Sequence, residues 1–160
     1  MPAHIVNPPD MTKPVGFAYA VKCQGTLLFL GGATGQDQTG HIRAPGDLPR
    51  QFEDAIANIC KVVRSAGGTP QDVVKLTYFV IDRDDYVSKL KPIGEIYRKY
   101  FGKHYPAQSL FGVTSLYEAD ALIEIEAIAC IADGAGPAPI GPPARASGEP
   151  APQDTVIPGA

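Results

Sequence analysis

The sequence predicts an α+β domain in the order β-β-β-α-β-α-β-β, two helices lying on one face of a mixed sheet, and three patterns carry that prediction. Residues Ile123-Glu124-Ile125-Glu126-Ala127-Ile128-Ala129 alternate strictly. This is the period-two signature of a strand, with Glu124, Glu126 and Ile128 on one face and Ile123, Ile125 and Ala127 on the other. Phe52, Ala55, Ile56, Ile59 and Val63 recur at helical spacing and form one apolar stripe. Leu27 to Leu30 and Val73 to Ile81 are apolar on both faces, the pattern of strands covered on both sides.

Each element follows in order from local signals. A hairpin is expected first: Val15 to Lys22, a turn at Gln24-Gly25, then Thr26 to Leu30 ending at Gly31-Gly32. A short third strand is expected around His41-Ile42-Arg43, after the Thr39-Gly40 turn. The first helix is predicted from Leu48 to Ala66, capped by Asp47, with Pro49 in its first turn and Gly67-Gly68 as its stop. Thr69-Pro70-Gln71-Asp72 has the form of a capped single turn, leading into an interior strand over Val73 to Ile81. Proline in a helix interior removes a backbone donor and clashes with the preceding turn. The region from Asp84 should therefore begin with a short turn, followed by a helix from Pro92 to Phe101 that packs Ile93, Ile96, Tyr97 and Tyr100 inward. Strands over Ala107 to Leu116 and Ala121 to Ile131 close the fold.

Composition bounds the function. With 160 residues, 44% hydrophobic and 19% charged, the chain is sized for one soluble globular domain, placed at residues 1–132. From Asp133 to Ala160 glycine, proline and alanine dominate, a composition that cannot offset its ordering entropy by burial. That segment reads as a flexible tail, with an arm docked on a neighbouring subunit as the alternative. The net charge of −3 and the lack of a basic stripe argue against a nucleic-acid partner. Cys23, Cys60 and Cys130 are odd in number and widely spaced, so they read as reduced, small buried residues. Neither a signal sequence nor an apolar run of membrane-spanning length is recognisable, so no membrane partner and a cytoplasmic location are expected.

Several motifs carry little. Gly31-Gly32-Ala33-Thr34-Gly35 follows a strand but lacks the lysine of a phosphate loop. His4, His41 and His104 have no metal-ligand spacing to one another or to a cysteine, so no metal and no cofactor are expected. Two acids beside aliphatic residues on one strand face are more informative. They fit either a functional carboxylate pair or interface acids that are solvated or ion-paired.

Taken together, Gly31-Gly32, Ala66-Gly67-Gly68, Asp72-Val73-Val74-Lys75, Pro106-Ala107 and the alternating strand of residues 123–129 resemble the Rid family of reactive intermediate deaminases over residues 14–131. The resemblance implies a chorismate-mutase-like fold and a homotrimeric barrel with sites in the clefts between subunits. It also implies hydrolysis of an enamine or imine to a carbonyl compound and ammonia, with Glu124 as the catalytic residue that holds and activates water. Acid-base help of this kind is worth on the order of 10²–10⁴-fold. Two carboxylates about 7 Å apart on one strand face repel by roughly 2 kcal/mol at an effective dielectric near 20, which would raise one of their pKa values.

By the same resemblance the substrate pocket is expected to be lined by backbone groups near Gly32, Ala33 and Leu110, with Phe17 or Tyr19 and Tyr86 as aromatic walls. Gln108 and Ser109 are assigned to substrate binding; no histidine lies close enough in sequence to make Ser109 a nucleophile. Deaminating members of the family carry arginine after the Pro-Ala pair to clamp a substrate carboxylate, whereas this chain has Gln108. Loss of that charge-assisted pair is worth about 1.5–3 kcal/mol. Leu90 and Leu110 are further departures. They point to a reshaped pocket, as in the branch that contains 2-aminomuconate deaminases of aromatic-compound catabolism. Arg43, Arg83 and Lys103 are candidate cations for a longer dicarboxylate. The alternative is a non-catalytic trimer that binds a small carboxylate metabolite or acts as a chaperone or regulatory module.

Overall fold

A computed structural model describes residues 3–133. The predicted tail therefore lies outside the described residues, apart from Asp133. The strands are β1 (His4–Val6), β2 (Ala20–Lys22), β3 (Thr26–Ala33), β4 (Val73–Val80), β5 (Ala107–Gly112) and β6 (Ile123–Ile131). The helices are α1 (Leu48–Ser65), α2 (Arg83–Ser88) and α3 (Leu90–Phe101). Four strands form a mixed sheet in the order β3-β6-β4-β5, in which only β4 and β5 are parallel. The predicted α+β class holds.

Helix α1 follows its sequence signals closely. The Asp47 carboxylate accepts from the Arg50 N–H at 3.1 Å, satisfying one of the orphan donors of the first turn. At the other end Gly67 takes φ +84°, and the Gly68 N–H donates to the Val63 carbonyl at 2.9 Å. The stripe Phe52, Ala55, Ile56, Ile59 and Val63 is fully buried against the sheet, where it meets Leu76, Ile123, Ile125 and Ala127. The turn at 70–72 closes as expected, with the Asp72 carboxylate accepting from the Thr69 N–H at 2.7 Å.

Four expectations need correction. The Val15 to Lys22 arm does not pair with β3. Ala20–Lys22 pairs instead with His4–Val6 as a separate two-stranded sheet, and Ala18 bridges Ala107 at the edge of β5. The break between the two pieces falls at Tyr19, whose N–H donates to the Asn7 Oδ1 at 3.0 Å instead of to a strand. Period two identifies a strand and its face but not its partner. Residues 41–43 form no strand; Ile42 makes only an isolated bridge to Gln36. The helical region contains two helices rather than a turn and a helix. Asp82 caps α2 by accepting from the Asp84 and Asp85 N–H groups, each at 2.9 Å, and Pro92 is accommodated in the first turn of α3, where its missing donor is harmless. The closing strand at 107 ends at Gly112, short of Leu116.

The described helices all leave the second sheet face bare. Leu27 (51% exposed) and Phe29 (71%) on β3 and Phe111 (53%) on β5 point outward, with Phe79 stacked on Phe111 at 6.1 Å. The doubly apolar pattern of β3 thus belongs to an edge strand whose outer face has no cover among the described residues.

Candidate active site

The sheet register divides the expected site residues between two places. Glu124 pairs with Phe79 across β6 and β4, so its side chain stands on the outer face. Gln108 pairs with Leu76, on the face that carries the helices. A single chain therefore does not bring Glu124 and Gln108 together.

On the outer face a bulge shapes the surroundings of Glu124. Leu30 pairs with Ala127 and Ala33 with Ile125, so Gly31 and Gly32 both oppose Glu126. A Cβ placed on Gly32 would sit 1.7 Å from the Glu124 Oε1 atom and 2.9 Å from its Cγ. The glutamate thus lies directly against the glycine backbone. Among the described residues no lysine or arginine pairs with Glu124. Partial burial first, and then the charges of Glu118 and Glu126, raise its pKa above the ordinary 4.5. Glu118 is itself held by the Gln36 amide. The result is a carboxylate with no compensating cation, suited to taking up a proton.

On the helix side lies a cavity of about 560 Å³. It collects Phe17, Tyr86, Gln108, Ser109 and Leu110 from the expected list, and Leu90 as well. Tyr19 is not among its lining residues; its hydroxyl donates to the Thr12 carbonyl at 2.8 Å. Gly32 and Ala33 line a different, smaller depression beside α1. Gln108 is held by phenols: the Tyr78 hydroxyl donates to its Oε1 at 3.2 Å, and its Nε2 donates to the Tyr97 oxygen at 3.3 Å. The Tyr97 hydroxyl continues the chain to the His104 carbonyl at 2.7 Å. Burial raises the pKa values of Tyr78 and Tyr97 and pushes that of Tyr86 up to about 12, so the phenols remain neutral donors. Ser109 pairs with Thr77, so its hydroxyl stands on the outer face instead, where it accepts from the Lys75 ammonium at 2.6 Å.

The candidate cations are elsewhere engaged or elsewhere placed. Arg43 pairs with the Asp54 carboxylate at 3.5 Å and Arg83 with Asp84 at 2.6 Å, and neither they nor Lys103 line the cavity. Arg98 does line it, and sequence reading missed it. Its only signal was a glycine four residues earlier inside a helix. No group of three or more histidine, cysteine or acidic residues among those described could hold a metal ion. None of the described helices is long and apolar enough to cross a membrane.

Comparison with known proteins gives a consistent result. Residues 11–131 match the family described as Endoribonuclease L-PSP. A RutC family protein of Pyrococcus horikoshii is 37% identical over 119 residues, covering 73% of this chain and 89% of its own. A protein of Dermatophagoides farinae named 2-iminobutanoate/2-iminopropanoate deaminase is 28% identical over 131 residues, covering 81% and 98%. Among solved structures, YyfB of Yersinia pestis, described as a protein of unknown function of the conserved Rid family, superposes with a TM-score of 0.74 at 35% identity. It covers 82% of this chain and all of that one.

Proposed function

Because the chain belongs to the Endoribonuclease L-PSP family, which includes the Rid proteins, we propose that it is a cofactor-independent deaminase hydrolysing small enamines or imines to a carbonyl compound and ammonia. The observation that carries this reading is Glu124, a partly buried carboxylate with no paired cation among the described residues, seated against the Gly32 backbone. Water hydrogen-bonded to Glu124 adds through its oxygen to the C=N carbon as the carboxylate takes one of its protons. Glu124 returns that proton to the nitrogen to give the neutral carbinolamine; the hydroxyl proton then passes to the nitrogen as the C–N bond breaks, leaving ammonia and the carbonyl compound. The family description names RNA cleavage, but Glu118, Glu124 and Glu126 cluster on the same part of the outer face and would repel a phosphate backbone.

The reading includes a homotrimer. Glu124 and Gln108 face opposite sides of one sheet, so a cleft holding both draws them from different subunits. The exposed Leu27, Phe29 and Phe111 form an apolar surface of the kind that marks an interface. Light scattering of the wild-type protein should give the mass of three chains, and Phe29→Asp should shift it toward one. A wild-type monomer would overturn the assembly.

The substrate within this class is proposed to be 2-aminomuconate or a similar extended enamine acid, supported by the neutral Gln108 and the large cavity. Incubation with 2-aminomuconate and with 2-aminoacrylate, following ammonia, tests both class and choice. Acceleration of neither would reject the enzyme. Tight binding without ammonia release would favour the second reading, a non-catalytic carboxylate-binding trimer, to which Gln108 in place of a charged clamp lends support.

The raised pKa of Glu124 has a definite sign. Between 4.5 and the raised value the folded chain binds more protons than the unfolded one, so this group's contribution to stability declines as pH rises through that window. Activity, which needs the carboxylate, rises through the same window. The acid limb of the kcat/KM profile should therefore lie above 4.5, and Glu118→Gln should move it down by removing one of the charges that raise it. A limb that stays in place would remove Glu118 from the site.

A further inference from the structure

We infer that Arg98 binds the substrate's carboxylate at the mouth of the helix-side cavity, so that the substrate is an unsaturated acid whose charged end is held by α3 and whose body lies among the phenols. This deepens the deaminase reading and rests on it for the reaction, though not for the binding. Arg98 is the only charged side chain lining the cavity among the described residues. The remaining lining is apolar or phenolic apart from Gln108 and Ser109. The Gln108 amide already bonds both Tyr78 and Tyr97, so the deep end is neutral.

The position of the guanidinium is built into the helix. Its Nη1 lies 3.3 Å from the point a Cβ on Gly94 would occupy, so the side chain runs back along α3 over the glycine, in the direction helical side chains lean. Glycine is unfavourable inside a helix, and here a methyl group in its place would crowd the arginine. A basic residue in a last helical turn ordinarily serves the C-terminal carbonyls. Arg98 points away from them. It also makes no ion pair among the described residues, although Glu95 lies one turn before it on the same helix.

The chemistry selects an elongated carboxylate. In a 2-imino acid the carboxylate is bonded to the C=N carbon, so a clamp at the mouth would hold the reacting carbon there too. A conjugated chain between the two groups separates them, and a cavity of about 560 Å³ has room for such a body.

Calorimetric titration with sorbate, a six-carbon dienoate, and with neutral sorbamide tests the inference on the full chain. Arg98→Gln should weaken sorbate binding about 10–100-fold, the worth of a charge-assisted pair, and leave sorbamide binding unchanged. Arg98→Lys should restore part of the loss. Unchanged sorbate affinity in Arg98→Gln, an equal loss for sorbamide, or no sorbate binding by the wild-type protein would each overturn it. The readout is heat of binding rather than ammonia. Sorbate binding that depends on Arg98 without deamination of any enamine would reject the reaction and keep the carboxylate site; deamination with Arg98 irrelevant to sorbate would do the reverse.

Discussion

Glu124→Gln should lower ammonia release by about 10²–10⁴-fold while leaving the fold intact. The amide has the same shape and can still hydrogen-bond water, but it cannot accept the proton that water must lose as it adds to the C=N carbon. Little structure depends on the charge. Glu124 has no ion-pair partner among the described residues, and its neighbours Glu118 and Glu126 repel it. The thermal midpoint of the variant at neutral pH should therefore equal or slightly exceed that of the wild type. Steady-state ammonia assays and a melting curve on the same preparation separate the two effects. Full activity in the variant would end the assignment of Glu124, and a collapsed midpoint would make it a structural residue.

Gly32→Ala should also be a nearly silent change for the fold and a large one for the reaction. The nearest atoms to the new methyl are all in the Glu124 side chain: Oε1 at 1.7 Å, Cδ at 2.6 Å and Cγ at 2.9 Å. No backbone atom is among them, and Gly32 is not one of the glycines with positive φ, so alanine fits the backbone. The glutamate must swing away from its seat. Displacement of a catalytic group by about 1 Å costs on the order of 10²-fold. kcat should fall by that order with the melting midpoint nearly unchanged. An equally active Gly32→Ala would show that the seat observed for Glu124 is not the one used in turnover.

The fold was legible where a local signal was also a sufficient one. Asp47, Pro49 and Gly67-Gly68 delimit α1 because capping is decided within a few residues. The alternation of residues 123–129 gave the faces of β6 correctly for the same reason. The hairpin at 15–30 was misread because pairing is decided by competition: His4–Val6 takes β2, and Ala18 goes to β5. The division of the site was hidden for a related reason. Glu124 and Gln108 each have a face set by period two, but which faces coincide depends on the β4–β5 and β4–β6 registers. Arg98 was missed because an exposed arginine in a last turn looks like any solvated charge until Gly94 is seen beneath it.

The place of β6 between β3 and β4 also governs when the molecule can fold. Strand β3 has no other partner in its sheet, and its contact with the far end is as distant as the bond from the Thr26 hydroxyl to the Asp133 carboxylate, 107 residues away at 2.9 Å. During synthesis β3 must wait for nearly the whole domain to be made, its Leu27 and Phe29 unsheltered meanwhile, since such distant pairings form slowly and late. The strand that completes the sheet is the one that carries Glu124. A nascent or truncated chain lacking β6 thus lacks both the sheet and the carboxylate, so partly made copies carry no incomplete version of the site.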